Sequence, residues 1–174
     1  MRRACYALAL SLLAAPLAAQ RTRTMVVIPG QLTRVITDTT GTPYEVPFSA
    51  ARTYAAVLAT YEELKLPSEV RDSANGRVET GVFHRRGDIG GKQISTYLSC
   101  GDGITGPYAD SYRVYMIVMT TVEPKGPDRS TIRSVLLGGA VNVSEGARQP
   151  MACESTGRWE IRLHKQVLAR AAGL

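Results

Sequence analysis

Histidine, cysteine and tryptophan are scarce in this sequence, with two, three and one among 174 residues. His84 and His164 have no third ligand at helical or short-loop spacing, so the sequence offers no zinc site. No glycine-rich loop opens a helix, which removes the usual phosphate cradle of nucleotide-binding proteins. Ser99, His84 and either Asp102 or Asp110 supply the residue types of a nucleophilic triad. They lack the tight strand–serine–helix elbow that exposes such a serine. Aromatic residues make up only 6% of the chain and do not interleave with the basic ones, as a nucleic-acid surface requires. Internal repeats, low-complexity tracts and interdomain linkers are also missing. The expectation is a chain with no catalytic residues, no cofactor and no metal.

What is present begins with an export signal. Arg2 and Arg3 precede an uncharged apolar run from Ala4 to Ala15, Pro16 ends it, and Ala18 and Ala19 are small residues suited to cleavage. The run is about a dozen residues, short of the roughly 20 that span a bilayer. Cleavage after Ala19 leaves 155 residues, enough for one domain with a real core. The formal charge falls from +6 to +4, since 19 basic and 15 acidic residues remain. Such a mild excess acts mainly as solubilising surface charge. The cut also removes Cys5. Cys100 and Cys153 then form the expected disulfide of an oxidising, periplasmic or extracellular compartment.

The stretch from Lys92 to Val122 organises the rest. Two strand-like runs flank a loop, Gly101 to Ala109, with three glycines and one proline. In the first run Ile94, Thr96, Leu98 and Cys100 share one face, and Gln93, Ser95, Tyr97 and Ser99 the other. The second run, Asp110 to Glu123, is apolar on both faces: Val114, Met116, Val118 and Val122 on one, Tyr115, Ile117 and Met119 on the other. This pattern predicts a central strand covered on both sides. Before it, Gln31–Thr37 and Tyr44–Phe48 read as an N-terminal hairpin. Ser49 caps a helix whose stripe is Tyr54, Val57, Leu58, Tyr61 and Leu64, ended by Pro67. Arg77–Arg85 reads as a strand with a bulge at Gly81. Ser130–Val141 is a further strand, and Asn142–Ser155 reads as a polar loop carrying Cys153. Ser155 or Thr156 caps a final helix to about Ala172, on which Trp159, Leu163 and Val167 recur; a short strand at its start is the alternative.

These elements predict an α+β fold: a single antiparallel sheet of four or more strands, two helices packed on one face, and one disulfide. Residues 1–19 form the signal peptide, 20–48 an extended segment or hairpin, and 49–174 the α+β domain. Two candidate sites follow. Tyr97, Tyr115, Ile117 and Met119 form an apolar, aromatic face that binds a partner if exposed and is core if residues 25–48 cover it. Trp159 marks a possible pocket for a small apolar ligand between the final helix and the sheet. Asp102 and Asp110 flank a loop whose backbone suits an ion, although the spacing matches no known ion loop.

The opening AARTYAAVLATYEEL helix, the strands ending in STYLSC and SYRVYMIVMTTV, and the last helix STGRWEIRL resemble helix-grip domains over about 125 residues. Among exported bacterial proteins they look most like the domains of BamC (NlpB)-like envelope proteins, and otherwise like other small exported bacterial proteins. The sequence departs from that family by lacking a lipid-anchor cysteine and by carrying the cysteine pair. The resemblance implies a non-enzymatic scaffold role in the cell envelope, with an envelope protein or a second copy as partner, and it transfers no functional residues. The alternatives are a carrier of a small apolar ligand or lipid and a hydrolase using Ser99 or Cys100.

Overall fold

A computed structural model describes residues 23–27, 34–38, 41–143 and 150–173. The export-signal expectation falls on residues 1–19, outside the described ones. In chain order the strands are β1 (Arg23–Val27), β2 (Arg34–Asp38), β3 (Pro43–Val46), β4 (Val70–Asp72), β5 (Arg77–Glu79), β6 (Phe83–Arg85), β7 (Asp88–Ile89), β8 (Lys92–Gln93), β9 (Leu98–Ser99), β10 (Asp102–Gly103), β11 (Gly106–Pro107), β12 (Arg113–Pro124), β13 (Ser130–Val141) and β14 (Met151–Ser155). The helices are α1 (Ala50–Glu63), the single turn α2 (Tyr108–Ser111) and α3 (Arg158–Gly173).

The fold is α+β, with one antiparallel sheet of eight strands. Its spine is the β12–β13 pair, in register from Arg113↔Val141 to Pro124↔Ser130. β5 and β6 pair with β12, and β4 with β5. Along the other side of β13 lie first β3, then β14, which carries β9 at its edge.

The bulge expected at Gly81 is present. The register slips by one residue between Met119↔Glu79 and Met116↔Phe83, and Gly81 takes φ +64°, the left-handed value that glycine adopts without strain. Thr80 repairs the interrupted ladder, because its Oγ1 accepts from Val118 N at 2.9 Å. The Asn75–Gly76 turn forms because Asp72 accepts from both the backbone and side-chain nitrogens of Asn75.

α1 and α3 pack on the face of the sheet carrying Val114, Met116, Val118, Val122, Ile132, Leu136 and Ala140. Ser49 caps α1 as expected, accepting from Arg52 N. The buried stripe of α1 is rotated relative to its apolar pattern: Thr53 and Thr60 are buried, while Tyr54 and Leu58 are only partly so. The reason is a layer of paired hydroxyls beneath the helix. Thr53 Oγ1 lies 2.8 Å from Ser130 Oγ, and Thr120 Oγ1 lies 3.0 Å from both Tyr61 OH and Ser134 Oγ. Buried hydroxyls that bond one another avoid the desolvation cost of unpaired ones. Burial pushes the Tyr61 phenol well above its ordinary range.

α3 runs as a helix from its start, so the alternative short strand is not formed. Glu160 in its first turn is buried and accepts from Leu136 N, in the stretch of β13 between the β3 and β14 pairings, and from Ser155 Oγ. A buried charge is tolerated where several hydrogen bonds satisfy it. At the other end, Arg52 of α1 donates to the Ala171 carbonyl at 2.6 Å, a cation at the negative end of the helix dipole.

Three sequence expectations are corrected. The N-terminal hairpin is β1 with β2, whereas residues 43–46 pair with β13 in the main sheet. Ile94–Cys100 is not one strand. Ile94–Thr96 is a 3₁₀ turn, held by Ser95 N donating to Asp110 Oδ1, and only Leu98–Ser99 is extended. Cys153 lies on β14 rather than in a loop, because β14 bridges β13 and β9. The Cys100–Cys153 disulfide is formed, with S–S 2.02 Å, and both cysteines are buried.

Candidate functional site

The face opposite the helices is built by alternate residues of β12 and β13. Ile117, Leu137 and Val141 form its centre at 6%, 4% and 4% exposure, with Tyr115 and Met119 packed against them and partly exposed. Val135 is also half-buried, and the exposed His84 of β6 leans on the Tyr115 ring at 5.6 Å. The β1–β2 hairpin approaches β13 and β14 without hydrogen-bonding to either. Ile117 is buried against Leu137, Val141, Tyr115 and Met119 of the same face. Of the four residues expected to share the face, the structure brings together Tyr115, Ile117 and Met119.

Tyr97 is elsewhere. It follows the 3₁₀ turn at 3% exposure and meets the Trp159 ring edge-on at 5.3 Å. The chain coils at Ile94–Thr96, so Tyr97 no longer alternates with Leu98 as it would in one regular strand, and both are buried. Trp159 itself is fully buried, and its indole Nε1 has no hydrogen-bond partner. None of the clefts described below is lined by it.

The residues weighed for catalysis are not assembled as a site. Cys100 is held in the disulfide and is not a thiolate while that bond lasts. Ser99 is exposed on β9 opposite Glu154. Asp110 is engaged by Ser95 N, and Asp102 lies at the base of the β10–β11 hairpin, whose tip presents a fully exposed Ile104. Among the described residues no three His, Cys, Asp or Glu side chains group closely enough to hold a metal ion. No described helix is long and apolar enough to cross a membrane.

The surface clefts among the described residues include three at the margins of the sheet. One, of about 490 Å³, is lined by Glu45, Lys125, Arg129 and neighbouring residues. A mostly apolar one of about 410 Å³ lies between the start of α1 and the Ser73–Gly76 turn, beside Tyr54, whose hydroxyl is buried without a partner. The third, of about 370 Å³, lies between the end of α1, the β7–β8 turn and the middle of α3. It gathers Lys65, Arg85 and Arg162 with Glu63, Asp88 and Gln166. Sequence reasoning missed it because its residues come from four separate segments. The one local signal was the Gly90–Gly91 reversal. His164, on α3, stacks on Tyr44 at 4.4 Å, and burial pushes its imidazole below the ordinary range.

Compared with protein-family models, with curated proteins and with solved structures, the chain matches none of them.

Proposed function

We propose that this chain is a non-catalytic binding or scaffold module of the bacterial cell envelope, exported by its N-terminal segment, with a protein as partner, another copy of itself being the simplest case. The observation that carries this reading is the second face of the β12–β13 pair. One apolar face closes a core against α1 and α3, yet these 12-residue strands are apolar on both. Tyr115, Met119 and Val135 keep part of that second face open to solvent beside the buried Ile117, Leu137 and Val141. Contiguous apolar surface left open on a sheet marks an interaction site. The order of helix, antiparallel strands and helix, on which the resemblance to BamC-like envelope domains rests, supports the same reading. The buried disulfide supports export, since such bonds persist in oxidising compartments.

The test is Met119→Glu. Its side chain is half-buried, so the variant is expected to keep its stability to within about 1 kcal/mol. Association, read by analytical ultracentrifugation for self-assembly and by co-purification from envelope extract, is expected to weaken by about tenfold or more, the equivalent of about 1.4 kcal/mol. Unchanged sedimentation and unchanged co-purified proteins would remove the face as a binding site.

A further inference from the structure

The cleft between α1, the β7–β8 turn and α3 concentrates charge that the fold does not neutralise. The Arg162 guanidinium is half-buried and fixed by three contacts: Nη1 donates to Tyr97 OH at 2.5 Å, Nη2 donates to Gly90 O at 2.7 Å, and its carbon sits 5.8 Å from the Tyr97 ring centre. None of these partners is a carboxylate. Arg85 is held in the same way, by the carbonyls of His84 and Lys65. Among the described residues neither arginine, nor Lys65, joins an ion pair. Each guanidinium has five N–H groups and spends two here, leaving donors for a ligand in a fixed fork.

The end of α1 explains part of this. Arg85 and Lys65 stand where cations favour the helix dipole, and Arg85 satisfies the carbonyl of Lys65. It does not explain Arg162, which belongs to α3. The φ of +53° at Lys65 belongs to the same end of α1: Lys65 N donates to Glu62 O and Leu66 N to Tyr61 O, a Schellman cap whose first residue past the helix is left-handed.

The same cleft has an acceptor side. Glu63 is already paired with Arg170, but Asp88 has no ion pair among the described residues. Gln166 Oε1 is buried and receives no hydrogen bond. A bare anion would leave that oxygen unsatisfied and would meet Asp88 as a like charge. A molecule carrying both signs satisfies both sides. We propose that this cleft binds a small zwitterion, a free amino acid or dipeptide, with its carboxylate on Arg85 and Arg162 and its ammonium on Asp88 and Gln166 Oε1. The volume of about 370 Å³ suits a ligand of that size.

The protein contains its own reporter. Trp159 is the only tryptophan, and Tyr97, bonded to Arg162, lies edge-on against it. The experiment titrates the intact, oxidised protein with each common L-amino acid and with glycylglycine, following Trp159 emission and binding heat. Acetate and methylammonium, one charge each, are the controls. Saturable binding of at least one zwitterion with a Kd below ~1 mM is expected, with both controls at least ~10-fold weaker. Arg85→Gln and Gln166→Leu are each expected to raise that Kd by ~10-fold or more while the melting curve stays cooperative. These two variants are preferred because Arg162 also holds Tyr97. Two results overturn the proposal: no saturable signal for any zwitterion up to ~10 mM, or acetate binding as tightly as the zwitterions with Gln166→Leu without effect, which would make this a bare anion site.

Discussion

Ile117→Asp is expected to unfold the domain rather than to expose a binding surface. Ile117 is 6% exposed, between Leu137 and the ring of Tyr115 on the second face of the sheet. Losing the isoleucine side chain forfeits about 1.5–3 kcal/mol of burial. Leaving a carboxylate there costs several kcal/mol more, or forces it to take up a proton. A total of about 4–6 kcal/mol compares with the 5–15 kcal/mol that stabilises a typical domain. Circular dichroism should therefore show either no cooperative transition or a melting temperature lower by more than ~10 °C. The contrast with Met119→Glu, two residues along the same face and half-buried, gives the experiment its meaning. A variant at Ile117 that melts within a few degrees of the parent would show that this position is not core.

Removing the disulfide is expected to produce the second large effect. Cys100 and Cys153 are 53 positions apart, and a cross-link over that separation stabilises by about 4 kcal/mol in the chain-entropy description. For a domain of this size each kcal/mol corresponds to about 2–4 °C, so Cys100→Ala with Cys153→Ala should melt roughly 8–16 °C lower. The loss should begin locally. Beyond the disulfide, β9 joins the sheet through only Glu154↔Ser99 and Ser155↔Leu98, assisted by Thr156, which bonds the carbonyls of Thr96 and Tyr97. Hydrogen exchange is expected to quicken first in residues 97–112. An unchanged melting temperature would mean that these strand and loop contacts suffice without the bond. Alkylation of the parent protein by iodoacetamide should require prior reduction, which also separates this chain from one with a nucleophilic Cys100.

The parts of the fold written in local chemistry were legible. Ser49 and Pro67 bracket the first helix, and Gly81 marks a bulge because only glycine takes φ +64° there without strain. The two-sided apolar pattern of Asp110–Glu123 placed β12 at the centre of the sheet, where it lies. Periodicity misled where a polar side chain finds a partner distant in sequence. Thr53 and Thr60 fall outside the apolar stripe read for the first helix, yet they are buried because the Ser130 hydroxyl meets the first and the Ala56 carbonyl the second. Met151–Ser155 reads as loop because it is short and largely polar, and it is a strand because β13 and β9 flank it. Alternation put Tyr97 beside Tyr115; the 3₁₀ turn at Ile94–Thr96 breaks that alternation and sends Tyr97 to Trp159. Tyr115, Ile117 and Met119 were placed together correctly, being consecutive outward positions of one regular strand. The charged cleft could not be found in this way, since Arg85 and Arg162 are 77 positions apart and only the fold brings them together.

The most direct test of the binding-module reading places a photo-crosslinking phenylalanine derivative at Met119 and irradiates the protein in the envelope of living cells. The expected product is a discrete adduct to a protein or to a second copy, absent when the same probe replaces the exposed Lys165 of α3, on the other side of the sheet. Cross-links confined to the chain's own residues 23–38 would contradict the reading, because the second face would then be closed entirely by the hairpin and would form part of the core.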